Sequence, residues 1–283
     1  MDPDVWSAMP WLRLLLVVLI AAPSARAQHL VAIGGGPRPP EVVAEVVRLG
    51  GGADGRLVVV SAASAEPEDV GTYQAEQFAD AGMGRVVVAL GHPDADSTVA
   101  LFTDATAVFF SGGDQNRLVA AWGGTRALDA VRAVYARGGV VAGTSAGAAV
   151  LSRVMLTGDE RQSDDPFSTV EPDNVATAEG FGFLTAAIVD QHFVTRRRQN
   201  RLLSVVLERA DLLGLGIDEE TAVVVAPDGS MHVVGRRGVQ VFDARGATVE
   251  PRERGFSATV VRLHLLLDGD VLTPDGDMVP RGR

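Results

Sequence analysis

Val140-Val141-Ala142-Gly143-Thr144-Ser145-Ala146-Gly147-Ala148-Ala149-Val150 is an apolar run that enters a turn of small residues and leaves through an alanine-rich segment. Gly143 and Gly147 stand two positions either side of Ser145. This spacing fits a strand-to-helix bend in which only small neighbours tolerate the backbone strain and the serine hydroxyl is held out above the sheet. The N–H of Ala146, opening the next helix, then points toward the oxygen of an attacked carbonyl. The same stretch also reads as a tight turn with Ser145 as a helix cap. A nucleophile needs a base and an acid from elsewhere in the chain.

Outward from this stretch, strands and helices alternate. His29 to Ile33 is a short strand ending in Gly34-Gly35-Gly36, Glu41 to Leu49 has helical spacing, and Leu57 to Val60 is again β-branched. A helix is expected near Thr72 to Ala81, strands at Arg85 to Leu90 and Ala107 to Phe110, and a helix from Thr125 to Arg137. Continuous apolar strands separated by helices predict an α/β fold with a doubly wound, mostly parallel sheet covered on both faces. Ligands then sit beyond the carboxyl ends of the strands. The glycine triplet lacks the third spaced glycine of a dinucleotide fingerprint and is followed by three prolines, so that reading is set aside. Residues 158–176 read as a polar surface loop, and an arginine-rich helix is expected from just after His192 to Ala210. From Ala222 onward, strands including Met231 to Val234 and Val260 to Leu267 predict antiparallel additions at the sheet edge.

Composition narrows the chemistry. With 283 residues, 47% of them hydrophobic, the chain can bury a large core. All 25 basic residues are arginine, which excludes Schiff-base, P-loop and Ser-Lys chemistry. There are no cysteines, hence no disulfide, thiolate metal site or cysteine nucleophile. A net charge of −11 argues against a general nucleic-acid partner. Leu14 to Ala22 is a short apolar run after Arg13, followed by Pro23, Ser24 and Ala25-Arg26-Ala27, the arrangement of a secretory signal cleaved before Gln28. The expectation is a signal peptide over 1–27, a single domain over 28–283, a secreted or periplasmic product and no stable membrane span after processing.

Among five histidines, His192 stands out in Ile188-Val189-Asp190-Gln191-His192-Phe193, where a β-branched strand ends in three polar residues. For general-base work its imidazole must be fixed in one tautomer by an acceptor. Asp190, Asp218, Glu219 and Glu220 are the candidates, and spacing alone does not choose among them. No His-Glu-x-x-His or similar ligand spacing is present, and neither metal nor cofactor is expected.

Four blocks together carry a family resemblance: Phe109 to Gln115 with Ser111-Gly112-Gly113-Asp114, Gly143 to Ala148, Asp190 to Phe193 with Arg196, Arg198, Arg201 and Leu202, and Gly216 to Glu219 with Thr221-Ala222. The chain resembles the cyanophycinase family of serine peptidases, which includes peptidase E, an aspartyl dipeptidase, over about residues 29 to 272. The resemblance implies a scaffold like that of class I glutamine amidotransferases. It also implies a triad of Ser145 as nucleophile, His192 as base and Glu219 as orienting acid, with the N–H groups of Gly113 and Ala146 as oxyanion hole. Its substrate would be cyanophycin, a polyaspartate whose β-carboxyls carry arginines, released as β-aspartyl-arginine dipeptides. Such a substrate calls for arginines to meet carboxylates, here Arg196, Arg198 and Arg201. It also calls for acceptors to meet guanidinium groups, here Asp114, Gln115, Asp190 and Gln191. Arg198 and Arg201 are expected on one helix face. The glycine triplet lacks the acidic residue that the family places after it. A short aspartyl peptide as substrate, a non-catalytic periplasmic binding protein and a homodimer are the alternatives left open.

Overall fold

The computed structural model describes residues 27–161 and 168–281; the expected signal peptide lies outside them up to residue 26. The first half alternates as expected: β1 (His29–Ile33), α1 (Pro40–Gly50), β2 (Arg56–Val60), α2 (Pro67–Asp80), β3 (Arg85–Val88), α3 (Asp96–Ala100), β4 (Ala107–Phe110), α4 (Gln115–Trp122), α5 (Arg126–Ala136), β5 (Val140–Thr144) and α6 (Ala146–Ala149). The second half comprises β6 (Val154–Glu160), β7 (Val175–Glu179), β8 (Ala187–Gln191), α7 (Gln199–Glu208), β9 (Leu213–Ile217), β10 (Thr221–Val225), β11 (Met231–Gly235), β12 (Val239–Asp243), β13 (Thr248–Arg252), β14 (Gly255–Thr259), β15 (Arg262–Leu266), β16 (Val271–Leu272) and β17 (Met278–Val279).

The main sheet has nine strands in the order β17-β16-β11-β10-β1-β5-β4-β2-β3. Its five strands from β1 to β3 are parallel, and β10, β11, β16 and β17 add on antiparallel, as the C-terminal pattern predicted. Each parallel strand is apolar on both sides because alternate residues face opposite layers. Val31, Ile33, Leu57, Val59 and Phe109 pack beneath α1 and α2. Val58, Val60, Val108 and Phe110 pack with Leu118 and Trp122 of α4 and Val131 and Val134 of α5.

The sequence reading differs from the structure in several places. The strands that bear the polar ends near 190 and 218 are not in the main sheet: β8 and β9 pair in parallel within a second sheet, β15-β12-β9-β8. One face of that sheet, with Val189, Leu215 and Val241, joins the core of the main sheet, and α7 covers the other. β15 is therefore an edge of the second sheet, not of the main one. Helix α2 begins at Pro67 rather than Thr72, since proline fits the first helical position and Glu68 and Asp69 complement the helix dipole. Thr125 lies just outside α5 because its side chain accepts the Leu128 N–H. The expected 158–176 loop is partly a hairpin, with β6 reaching Glu160 and β7 starting at Val175. Helix α7 starts at Gln199, so Arg196, Arg197 and Arg198 precede it in a turn and Arg198 is its N-cap residue.

Candidate active site

β5 delivers Ser145 on a bend with φ 53° and ψ −115°, a backbone state that a side chain rarely adopts. Close packing enforces it. A Cβ at Gly143 would lie 2.1 Å from the Gly147 carbonyl oxygen, and one at Gly147 would lie 2.2 Å from that of Phe110. The glycine spacing thus reflects main chain pressed on main chain, and Ser145 Oγ accepts no cap hydrogen bond from the N–H groups of α6.

β8 and β9 run parallel with Gln191 opposite Ile217, so the residues just beyond them emerge side by side. His192 Nε2 lies 2.9 Å from Ser145 Oγ, and its Nδ1 lies 2.7 Å from Glu219 Oε1. A carboxylate can only accept, so Nδ1 carries the proton and Nε2 is left to accept from the serine hydroxyl. The other acidic candidates are committed elsewhere. Asp218 accepts the Thr195 N–H at 3.0 Å, Asp190 is held by Arg201, and Glu220 lies 3.6 Å from Arg237.

What joins the two sheets here is the glycine triplet after β1, which sequence reading weighed for nucleotide binding and passed over. Ile33 O accepts the Ser145 N–H at 2.9 Å, Gly34 O that of His192 at 2.7 Å and Gly35 O that of Glu220 at 3.0 Å. A Cβ on Gly35, where φ is 104°, would lie 2.4 Å from His192 Cε1; one on Gly36 would lie 2.9 Å from Glu219 Cβ. The signal was present in the sequence as glycine density at a strand end, but its cause is contact with residues about 160 to 185 positions away.

A cleft of about 320 Å³ opens in front of Ser145. The N–H groups of Gly113 and Ala146 donate to no atom of the described residues, and Gly112 sits against Ser145, where an added Cβ would be 3.4 Å from the serine Cβ. Arg196 lines the cleft, and among the described residues its side chain has no hydrogen-bond or ion-pair partner. Arg198 donates to Gln191 O and Oε1 at 2.6 and 2.8 Å. Burial, then the neighbouring Arg201, lowers the Arg198 pKa to about 10. Gln115 Nε2 donates to the carbonyls of Leu156 and Thr157, while Asp114 Oδ1 caps α4 through the Asn116 and Arg117 N–H groups. Asn116, Thr157 and Asp159 also line the cleft, although no sequence motif marked them. Among the described residues, no cluster of His, Asp or Glu is arranged to hold a metal ion.

Asp190 is reassigned by its surroundings. It is fully buried and takes the Arg201 guanidinium in a bidentate pair, Nε to Oδ2 at 2.7 Å and Nη2 to Oδ1 at 2.5 Å. Arg201 is itself only 2% exposed. Arg198 is not on the helix face of Arg201, being in the turn before it. Asp190→Ala is expected to lower stability by about 3–5 kcal/mol, because a buried charge loses its counter-ion. Urea unfolding measures this; an unchanged midpoint with a raised KM would instead make Asp190 a substrate ligand.

Residues 30–233 match the profile of peptidase family S51. The chain is 35% identical to a cyanophycinase from Synechococcus elongatus over 255 residues, covering 85% of this chain and 77% of that protein. It is 31% identical over 262 residues to a cyanophycinase from Nostoc sp. (strain PCC 7120), covering 88% and 86%. A crystal structure of a peptidase from an acI-B1 Actinobacterium shares the fold with a TM-score of 0.63 at 23% identity, over 88% of this chain and 98% of that one. The chain belongs to peptidase family S51 and is a serine-type peptidase.

Proposed function

We propose that the protein is a cyanophycinase that releases β-aspartyl-arginine dipeptides from polyaspartate chains through an acyl-enzyme. The observation that carries the reading is the Ser145–His192–Glu219 chain of contacts, whose Ser145 end lines a cleft also lined by Arg196, an arginine with no hydrogen-bond or ion-pair partner among the described residues. Names of relatives at 31–35% identity support the choice of polymer. In the first half-reaction Ser145 Oγ attacks the scissile carbonyl carbon while His192 Nε2 takes its proton. The resulting oxyanion lies within reach of the Gly113 and Ala146 N–H groups. Collapse breaks the C–N bond, with His192 returning its proton to the leaving amine. In the second half-reaction water attacks the acyl-serine with His192 again as base, freeing the acid and Ser145. Glu219 holds the tautomer and stabilises the imidazolium formed in each half. Arg196 and Arg198 supply positive charge for the substrate carboxylates.

The deciding experiment is mass analysis of the products from purified protein and cyanophycin. β-Aspartyl-arginine as the dominant product supports the reading. Hydrolysis confined to short Asp-X peptides moves the assignment to an aspartyl dipeptidase, and tight polymer binding without products moves it to a binding protein.

A pH profile tests the base. Burial lowers the His192 pKa below its ordinary 6.5, assisted by the charges of Arg196 and Arg198, while Glu219 raises it in part compensation. Only neutral imidazole accepts the serine proton, so the acid limb of kcat/KM is expected below pH 6.5. Glu219→Gln removes a raising influence and is expected to move that limb lower still. A limb above 6.5 in the wild type contradicts the assignment.

We further propose that the protein works outside the cytoplasm, on the strength of the Leu14 to Ala27 sequence. Protein recovered from periplasm or medium is expected to begin at Gln28. An intact N-terminus in the cytoplasmic fraction opposes this.

A further inference from the structure

One wall of the cleft is a strand that leaves its ladder. In the β6–β7 pair the register shifts between Leu156 and Glu160, and Gly158 inside the shift has φ 101°. Such a bulge re-aims side chains and is frequent beside active sites. This one is tied to the opposite lip: Gln115 Nε2 grips the Leu156 and Thr157 carbonyls at 3.0 and 2.7 Å, and Asn116 Nδ2 grips that of Thr157 at 3.3 Å. Thr157 Oγ1 donates to Ala176 O at 3.1 Å and lies 3.3 Å from the Asp159 N–H. The bulge is thereby fixed to the segment that carries the free Gly113 N–H.

Asp159 ends this pinned turn and lines the same cleft as Ser145 and Arg196. Among the described residues its carboxylate has no hydrogen-bond or ion-pair partner, and neither has the Arg196 guanidinium. Two opposite charges thus border one cleft of about 320 Å³ without neutralising each other. The acid on the α4 lip, Asp114, has one oxygen spent on its helix cap. A cleft with a separated cation and anion complements a substrate residue that is itself doubly charged.

The geometry points to Asp159 as a specificity-determining residue: it accepts the guanidinium of the substrate arginine, opposite the carboxylate held at Arg196. This rests on the functional reading above and adds the side-chain end of the substrate to it. Asp159 is placed to act on recognition, while the triad and both oxyanion N–H groups are untouched by its replacement.

The test uses two short polyaspartate oligomers, one with arginine on each β-carboxyl and one in which citrulline, neutral and nearly isosteric, replaces arginine. Wild-type protein is expected to favour the arginine oligomer in kcat/KM by about tenfold or more, the scale of one charge-assisted hydrogen bond. In Asp159→Asn the two values should fall within about threefold of each other, through loss on the arginine oligomer and an unchanged rate on citrulline. In Asp159→Arg the preference should reverse. If both variants keep the wild-type ratio, or lose both substrates in parallel, the proposal is overturned while the functional reading stands. If wild-type protein hydrolyses neither oligomer, the functional reading itself fails.

Discussion

Ser145→Ala is expected to reduce kcat by about 10³ to 10⁶-fold, the range seen when the nucleophile of a serine-type triad is removed. The hydroxyl oxygen is the only heavy atom lost. The imidazole–carboxylate contact at 2.7 Å and the free N–H groups of Gly113 and Ala146 persist. Substrate binding should therefore survive, and equilibrium binding of cyanophycin to the alanine variant separates lost chemistry from lost recognition. Turnover within tenfold of wild type would remove Ser145 from the mechanism. Stability should not improve in the alanine variant, since alanine meets the same strain at φ 53°. Ser145→Gly should be equally inactive but more stable, by about 1 kcal/mol, as relief of strain outweighs the added freedom of the unfolded glycine. Thermal or urea unfolding of the two variants side by side reads the difference.

The second large effect is expected at a residue with no side chain. In Gly35→Val the first added carbon would sit 2.4 Å from His192 Cε1 on a backbone with φ 104°, so either the imidazole swings off Ser145 or the loop lifts. Both break a 2.9 Å contact that proton transfer requires. A misplacement of about 1 Å costs on the order of 10²-fold, and the strained backbone adds to it, giving an expected fall in kcat of about 10³-fold. Because neither Gly35 nor His192 is among the residues that line the cleft, KM should change far less than kcat. A variant that folds and retains more than a tenth of wild-type kcat would contradict the role given to the triplet.

The parts of the molecule legible in the sequence were those written in local pattern. β-branched runs such as Leu57 to Val60 mark buried parallel strands because both faces are covered, and Gly143-Thr144-Ser145-Ala146-Gly147 marks the bend because its crowding arises within a few residues. Long-range pairing was not legible. Nothing local tells that β8 and β9 form a separate sheet, or that Asp190 faces Arg201 and not the cleft. The choice of Glu219 over Asp218 turns on alternation: the carboxyl of Asp218 reaches the Thr195 N–H, and that of the next residue reaches His192. Asp159 was hidden by a bulge, which interrupts the periodicity by which strand faces are read.

The two sheets meet at the reactive centre through carbonyl and amide groups of residues 33–35. Every residue type except proline carries both groups, so exchange of side chains elsewhere in the fold can drift without erasing the seam. A change of chain length is another matter: one residue inserted between Ile33 and Gly34 would slide the Gly34 and Gly35 carbonyls past the His192 and Glu220 N–H groups while Ile33 stays on Ser145, and so uncouple base and acid from the nucleophile. In descendants of this sequence, the spacing of that tripeptide should be harder to alter than the identity of most residues around it.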